Sequence, residues 1–221
     1  MSFYEQLIVA TSAEREQLLA APIVAECLQG RVTKAGYLAF LGQAYHHVRH
    51  TTPLLMSVGG RLPERLAWLR NAVAEYIEEE IGHEEWILND IAAAGGDAVA
   101  VRASQPGLPA ELMVAYAYDL VNRKNPAGFF GMVFVLEGTS VALALMAADR
   151  IQQALALPGN AFSYLRSHGT LDQEHTKHLA ELLEQMDPDD QQEVVRCARV
   201  FYQLYGDIFR ALPSGEVSTC N

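Results

Sequence analysis

The stretch AGFFGMVFVLEGTSVALALMAA, residues 127 to 148, constrains this chain more than any other. It is long and apolar enough to cross a bilayer. Yet Glu137 stands at its middle, and a carboxylate at that depth costs roughly 2.5–3.5 kcal/mol on insertion scales. No second segment approaches its length, and no basic flank sets an orientation. The run therefore reads as the central helix of a helical bundle, buried on every side. A carboxylate so placed must be paired, protonated or bound to a metal. A structural ion pair with an arginine or a helix terminus is the plain alternative.

The rest of the chain agrees with a bundle. Apolar residues recur at helical spacing nearly throughout, and no stretch alternates as a strand would. Helices are expected over 3–29, 33–58, 62–94, 108–123, 126–155, 160–186 and 188–211. Glycine, proline, asparagine or aspartate marks the breaks between them at Gly30, GGRLP, AGGDA, SQPGLP, NP, LPGN and DPDD. Short connections favour antiparallel neighbours in one domain, residues 1–212, and 213–221 reads as a mobile tail.

Of the 221 residues, 50% are hydrophobic and 19% charged, which is a globular composition. The net charge of −11 argues against nucleic acid or an anionic membrane surface as partner. Cys27, Cys197 and Cys220 lie far apart with no C-x-x-C spacing, so neither a disulfide framework nor a thiolate zinc site is expected. The acidic start lacks the pattern of a signal peptide, and a reducing, cytoplasmic setting is the default.

Three segments carry side chains able to bind a metal. In LRSHGTLDQEHTKHL, His168, Asp172 and His175 are spaced by four and seven, within roughly 60° of one another on a helix. His178 falls outside that stripe. In EYIEEEIGHEEW, His83 shares a helical face with Tyr76, Glu79 and Glu80, and a carboxylate three or four residues from a histidine can join it on one ion. Glu137 is the third element. Imidazole and carboxylate without thiolate suit iron or manganese better than zinc, and so many ligands are enough for two ions. The ferritin-like template fits poorly, because Glu-x-x-His occurs here once, at Glu80 and His83, and the other cluster is His-x-x-x-Asp-x-x-His. In YLAFLGQAYHHVRHTTPLL, His47 and His50 are candidates to line a substrate pocket, His46 less so.

From YLAFLGQAYHHV through FGMVFVLEGTS to HGTLDQEH, the chain resembles the haem-oxygenase-like superfamily, and within it the non-haem di-iron oxidases and oxygenases. The resemblance implies an all-α, seven-helix, often dimeric bundle that uses two iron ions and O2 on small amino- or fatty-acid-like molecules. It implies His83, Glu137, His168, Asp172 and His175 as iron ligands, with Glu80 or Tyr76 completing the set and His47 and His50 facing the substrate. One position departs: the family's further glutamate, seven residues before His83, is Tyr76 here. Either Glu79 or Glu80 replaces it from a neighbouring turn, or the second ion is weakly held, or the site holds one ion, iron or manganese. Tyr76 could also act as a redox-active phenol, with His47 as a further catalytic group. Thiaminase II shares the fold, but its aspartate aligns with Ala44 and its nucleophilic cysteine falls near Met132 or Val133, so thiolate chemistry is not expected. The pyrroloquinoline-quinone synthase branch offers the alternative of a cofactor-free oxidase, and a small-molecule-binding protein with a degenerate site is the non-enzymatic one.

Overall fold

Where the chain breaks its helices decides where its polar side chains meet. A computed structural model describes residues 1–214, without the side chains of 170–174. Its α-helices run, in order, α1 Phe3–Ala10, α2 Ser12–Leu19, α3 Pro22–Leu28, α4 Lys34–Val48, α5 Thr51–Arg61, α6 Leu69–Glu80, α7 His83–Ala93, α8 Ala98–Ala103, α9 Leu108–Arg123, α10 Phe129–Leu155, α11 Ser163–Glu184 and α12 Pro188–Arg210. No strand occurs among the described residues. The fold is the expected all-α bundle, cut more finely than expected. The helix expected over 3–29 is three, with Pro22 at the first position of α3, where its missing N–H costs nothing. The one over 33–58 turns at Arg49–His50. The one over 62–94 breaks between Glu80 and His83, because Gly82 takes φ +90°.

Two apolar clusters make the core. One gathers Leu54, Leu69, Tyr76, Phe130, Val135, Leu179 and Phe201, among others. The other gathers Val24, Leu41, Val48, Ile87, Ala144, Ile151 and Leu165, among others. Each fully buried Leu or Phe contributes about 1.5–3 kcal/mol relative to exposure. Four stretches pass from one cluster to the other at the same level. On α10 the change falls between Val135 and Ala144, on α11 between Leu165 and Leu179, across α6–α7 between Tyr76 and Ile87, and across α4–α5 between Val48 and Leu54. Glu137, His168, His175, Glu79, Glu80, His83 and His50 all lie in those intervals. A polar layer thus sits between two greasy ones, and α10 threads all three.

The segment Pro126–Leu155 is long and apolar enough to cross a membrane, its most apolar stretch having a mean hydropathy of 1.9, yet 56% of that stretch is buried inside the protein. Its first half lies tight on α12. A Cβ at Gly131 would come within 2.7 Å of the Val194 carbonyl and 2.8 Å of the Ala198 nitrogen, so backbone approach requires glycine there. Its end is less ideal. Ala156 closes α10 at φ 50°, a left-handed conformation that Cβ disfavours. Ala156→Gly is therefore expected to stabilise the protein by about 0.5–1 kcal/mol in urea unfolding.

Cys27 and Cys197 are buried thiols, and burial pushes each up to about 11. Cys220 and the tail from residue 215 lie outside the described residues. Leu212, just before them, is still packed in the second cluster.

Candidate functional site

Gly82 creates the first part of the site. With α6 ended at Glu80 and α7 begun at His83, the two side chains turn toward each other, and His83 Nδ1 lies 3.1 Å from Glu80 Oε2. They do not share one helical face as expected; a left-handed glycine brings them together. Burial raises the Glu80 carboxyl, but the His83 hydrogen bond and the charges of His168, His83 and His175 outweigh it, leaving its pKa below the ordinary value. A Cβ at position 82 would meet no neighbour within 4 Å, so a substitution there strains the backbone alone. Gly82→Ala is expected to cost about 1–2 kcal/mol and to weaken metal binding, measurable by unfolding and by Fe(II) titration of the same sample.

The third group is His168 on α11. One potential ligand atom from each of Glu80, His83 and His168 lies within 4.8 Å of the others. The ring of His168 stands 4.8 Å from that of His83, edge to face. His168 Nδ1 is 3.1 Å from the Tyr164 carbonyl. A carbonyl only accepts, so Nδ1 carries the proton and the lone pair is on Nε2, the arrangement in which metal-binding imidazoles are oriented by a second partner. Asp90 on α7 sets the start of α11: its carboxylate accepts from the Ser163 nitrogen at 3.0 Å, the Tyr164 nitrogen at 2.9 Å and the Ser163 hydroxyl. This fully buried cap ties the helix bearing His83 to the helix bearing His168. Nothing in the spacing of the sequence marked it.

A second group adjoins the first. His175 Nε2 lies 2.9 Å from Glu79 Oε2, and His175 Nδ1 lies 3.7 Å from Glu137 Oε1. Glu137 is 9% exposed and faces His175. The Tyr76 ring is 5.7 Å from that of His175, and Tyr76 lines the same cavity as Glu80, Glu137 and His168. Both glutamates offered as replacements for the family position therefore reach the histidines, Glu80 at His83 and Glu79 at His175. The side chain of Asp172 lies outside the described residues.

The pocket histidines separate. His47, 3% exposed, lines the cavity, with its ring 5.7 Å from that of Tyr205. Burial first, then the charges of His168, His50 and His46, push it down to about 3, so it is a neutral hydrogen-bonding group. His50 instead places Nδ1 3.2 Å from the Tyr118 hydroxyl and is not part of the cavity wall, because the turn at Arg49–His50 ends α4 and redirects the side chain. His46 bonds the Ser104 hydroxyl at 2.9 Å. His178 faces Glu75 at 3.7 Å, half exposed. Ser140 lines the cavity three residues after Glu137; that spacing places two helical residues on one face and was legible in the sequence.

Carboxylate and imidazole donors without thiolate match iron. Ligands bound to one ion at about 2.0–2.2 Å stand no more than about 4.4 Å apart. A spread within 4.8 Å closes with small side-chain rotations, so the residues fit a metal ion.

The family model described as iron-containing redox enzyme matches residues 38–206. A domain of unknown function with a haem-oxygenase-like fold from Shewanella denitrificans is 25% identical, with a TM-score of 0.83 over 95% of this chain and 90% of that one. A TenA homologue from Pseudomonas syringae pv. tomato is 11% identical, with a TM-score of 0.79 over 93% of this chain and 90% of that one. Haem oxygenase from Leptospira interrogans is 16% identical, with a TM-score of 0.75 over 96% of this chain and all of that one (100%). A search of curated proteins returns no significant match.

Proposed function

Because the chain belongs to the iron-containing redox enzyme family, whose model covers most of its length, we propose that it is a non-haem iron-dependent oxidase or oxygenase using O2 on a small organic substrate. The observation that carries this reading is the convergence of Glu80, His83 and His168 within 4.8 Å, with Glu80 and His168 in the wall of a largely apolar cavity. These three residues would hold one ferrous ion. Glu137 and His175, with Asp172, would hold a second, and Glu79 stands close enough to His175 to join them. Bound iron would supply the electrons that reduce O2.

The chain's own residues do the rest. The Tyr164 carbonyl keeps the His168 proton on Nδ1, and the Asp90 cap keeps α11 in register with α7. Apolar walls exclude water, which strengthens every charge interaction within and limits side reactions. His47 and Ser140 present hydrogen-bonding atoms toward the substrate, and Tyr76 lies within reach of the second group as a phenol.

A second reading, a cofactor-free oxidase or a small-molecule-binding protein with a degenerate metal site, draws on Tyr76 standing where the resemblance expects a glutamate. Oxygen uptake separates the two. Fe(II)-loaded protein is expected to consume O2, and His168→Ala and Glu137→Ala to abolish the uptake. Uptake unchanged in both variants, or none in the loaded wild type, would reject the iron-dependent reading.

A further inference from the structure

Carboxylate and histidine face each other on α6 and α11 once more than the iron-binding groups require. Glu75 Oε2 lies 3.7 Å from His178 Nε2, one turn beyond Glu79 and His175, which meet at 2.9 Å. The Tyr76 ring adjoins both histidines, 5.7 Å from the ring of His175 and 6.5 Å from that of His178. At about 1.5 Å rise per residue, the two pairs stand about 4.5–6 Å apart along their helices.

Exposure falls along this file. The side chains of Glu75 and His178 are 66% and 44% exposed, those of Glu79 and His175 51% and 11%. His175 then turns Nδ1 to the buried Glu137, at 3.7 Å. One imidazole thus stands between an exposed carboxylate and a buried one. The pairs form a line of oxygen and imidazole donors running from solvent to the polar layer.

As an ion pair, Glu75 and His178 achieve little. Their atoms are beyond hydrogen-bonding distance, and exposed pairs add little stability. The separation does suit two ligands of one ion, which stand up to about 4.4 Å apart. His178 Nε2 is covered although its ring is half exposed, and it has no hydrogen-bond partner among the described residues. A cation held there would offset its desolvation. The exposed carboxylate meets the ion first, and the covered nitrogen draws it into the seam. Two protein donors hold an ion weakly, which suits a place of passage.

We propose that Glu75 and His178 form an outer cation site through which the ferrous ion enters, passing by Glu79 and His175 to the buried residues. This rests on the reading of the inner groups as iron ligands, and it adds the route by which they are filled.

Anaerobic stopped-flow mixing of Fe(II) with the metal-free protein tests it. Trp86 is the reporter. Its indole stacks on the His83 ring at 3.9 Å, so an ion arriving at His83 quenches its fluorescence, and Trp68→Phe removes the other tryptophan. The double variant Glu75→Gln/His178→Ala is expected to slow quenching at least about tenfold, the low end of what a charged cleft adds to an on-rate. Release to a chelator should slow by the same factor, because an entry site lowers the barrier in both directions. Fe(II) affinity at equilibrium should therefore not change, whereas a merely structural role would alter affinity or unfolding. Glu78→Gln removes an equal charge from another exposed position of α6 and is expected to stay within about twofold of the wild type. Wild-type rates in the double variant overturn the entry path. So does equal slowing in Glu78→Gln and Glu75→Gln, which would assign the effect to the general field of the acidic run. Quenching absent from the wild type would overturn the iron reading itself and the entry path with it, so the two failures are distinct.

Discussion

Replacing His168 by alanine is expected to lower Fe(II) affinity by more than about 100-fold, because changes to the outer partners of metal ligands alone cost 10–100-fold. His168 provides one of the three donor atoms gathered within 4.8 Å, and its loss leaves Glu80 and His83, which already bond each other at 3.1 Å. The fold should survive. His168 is half-buried, and its ring contacts with Tyr164 and His83 are local. Anaerobic competition against a chromophoric chelator measures the affinity, and thermal unfolding checks the fold. His178→Ala, three residues beyond His175 but half exposed and facing Glu75, is the matched control and should change neither.

Asp190→Ala is expected to cost about 2–3 kcal/mol of stability, somewhat below the 3–5 kcal/mol typical of breaking a fully buried pair, because Arg65 is half exposed. Asp190 itself is fully buried in the first turn of α12, where a negative charge complements the helix dipole. It accepts two hydrogen bonds from Arg65 and one from Asn125 Nδ2 at 2.7 Å, joining α12 to the turn before α6 and to the link between α9 and α10. Burial raises its carboxyl, but the Arg65 and Asn125 hydrogen bonds and the Arg65 charge prevail and hold it below the ordinary carboxylate value. A depressed folded pKa gives stability that is present above the unfolded value of about 3.9 and lost as pH falls through the folded one. Urea unfolding of the wild type should therefore lose this contribution below about pH 4. Asp190→Asn, with no proton to take up, should show a flatter profile there.

Much of the bundle was legible because its strongest signals are periodic. The helix expected over 108–123 is α9 to the residue, and the run around Glu137 is α10, since long apolar periodicity bounded by proline or glycine leaves little choice. Short helices at the N-terminal end were not separated. The breaks at Thr11 and Ala20–Ala21 carry no glycine, and only Pro22 announces the third. Helix α8 was missed inside a segment read as loop, although Asp97 caps it by accepting from the Ala100 nitrogen at 2.9 Å.

The candidate site divides in the same way. His168 and His175 follow from spacing on one helix, and Glu137 follows from the cost of burying charge. The meeting of Glu80 with His83 depends on a single left-handed glycine, which periodicity read as helix. His47 and His50 looked alike in sequence, and a turn between α4 and α5 sends one to the cavity and the other to Tyr118. Asp90, which ties α7 to α11 across 73 and 74 positions of chain, acts through a long-range cap for which no local pattern exists.

The most direct test of iron at this polar layer is the stoichiometry of Fe(II) bound at equilibrium under anaerobic conditions. About two ions per chain are predicted, as in other carboxylate–histidine bundle sites, one lost in His168→Ala and the other in His175→Ala. Absence of bound iron, or an iron content indifferent to both substitutions, would contradict the account.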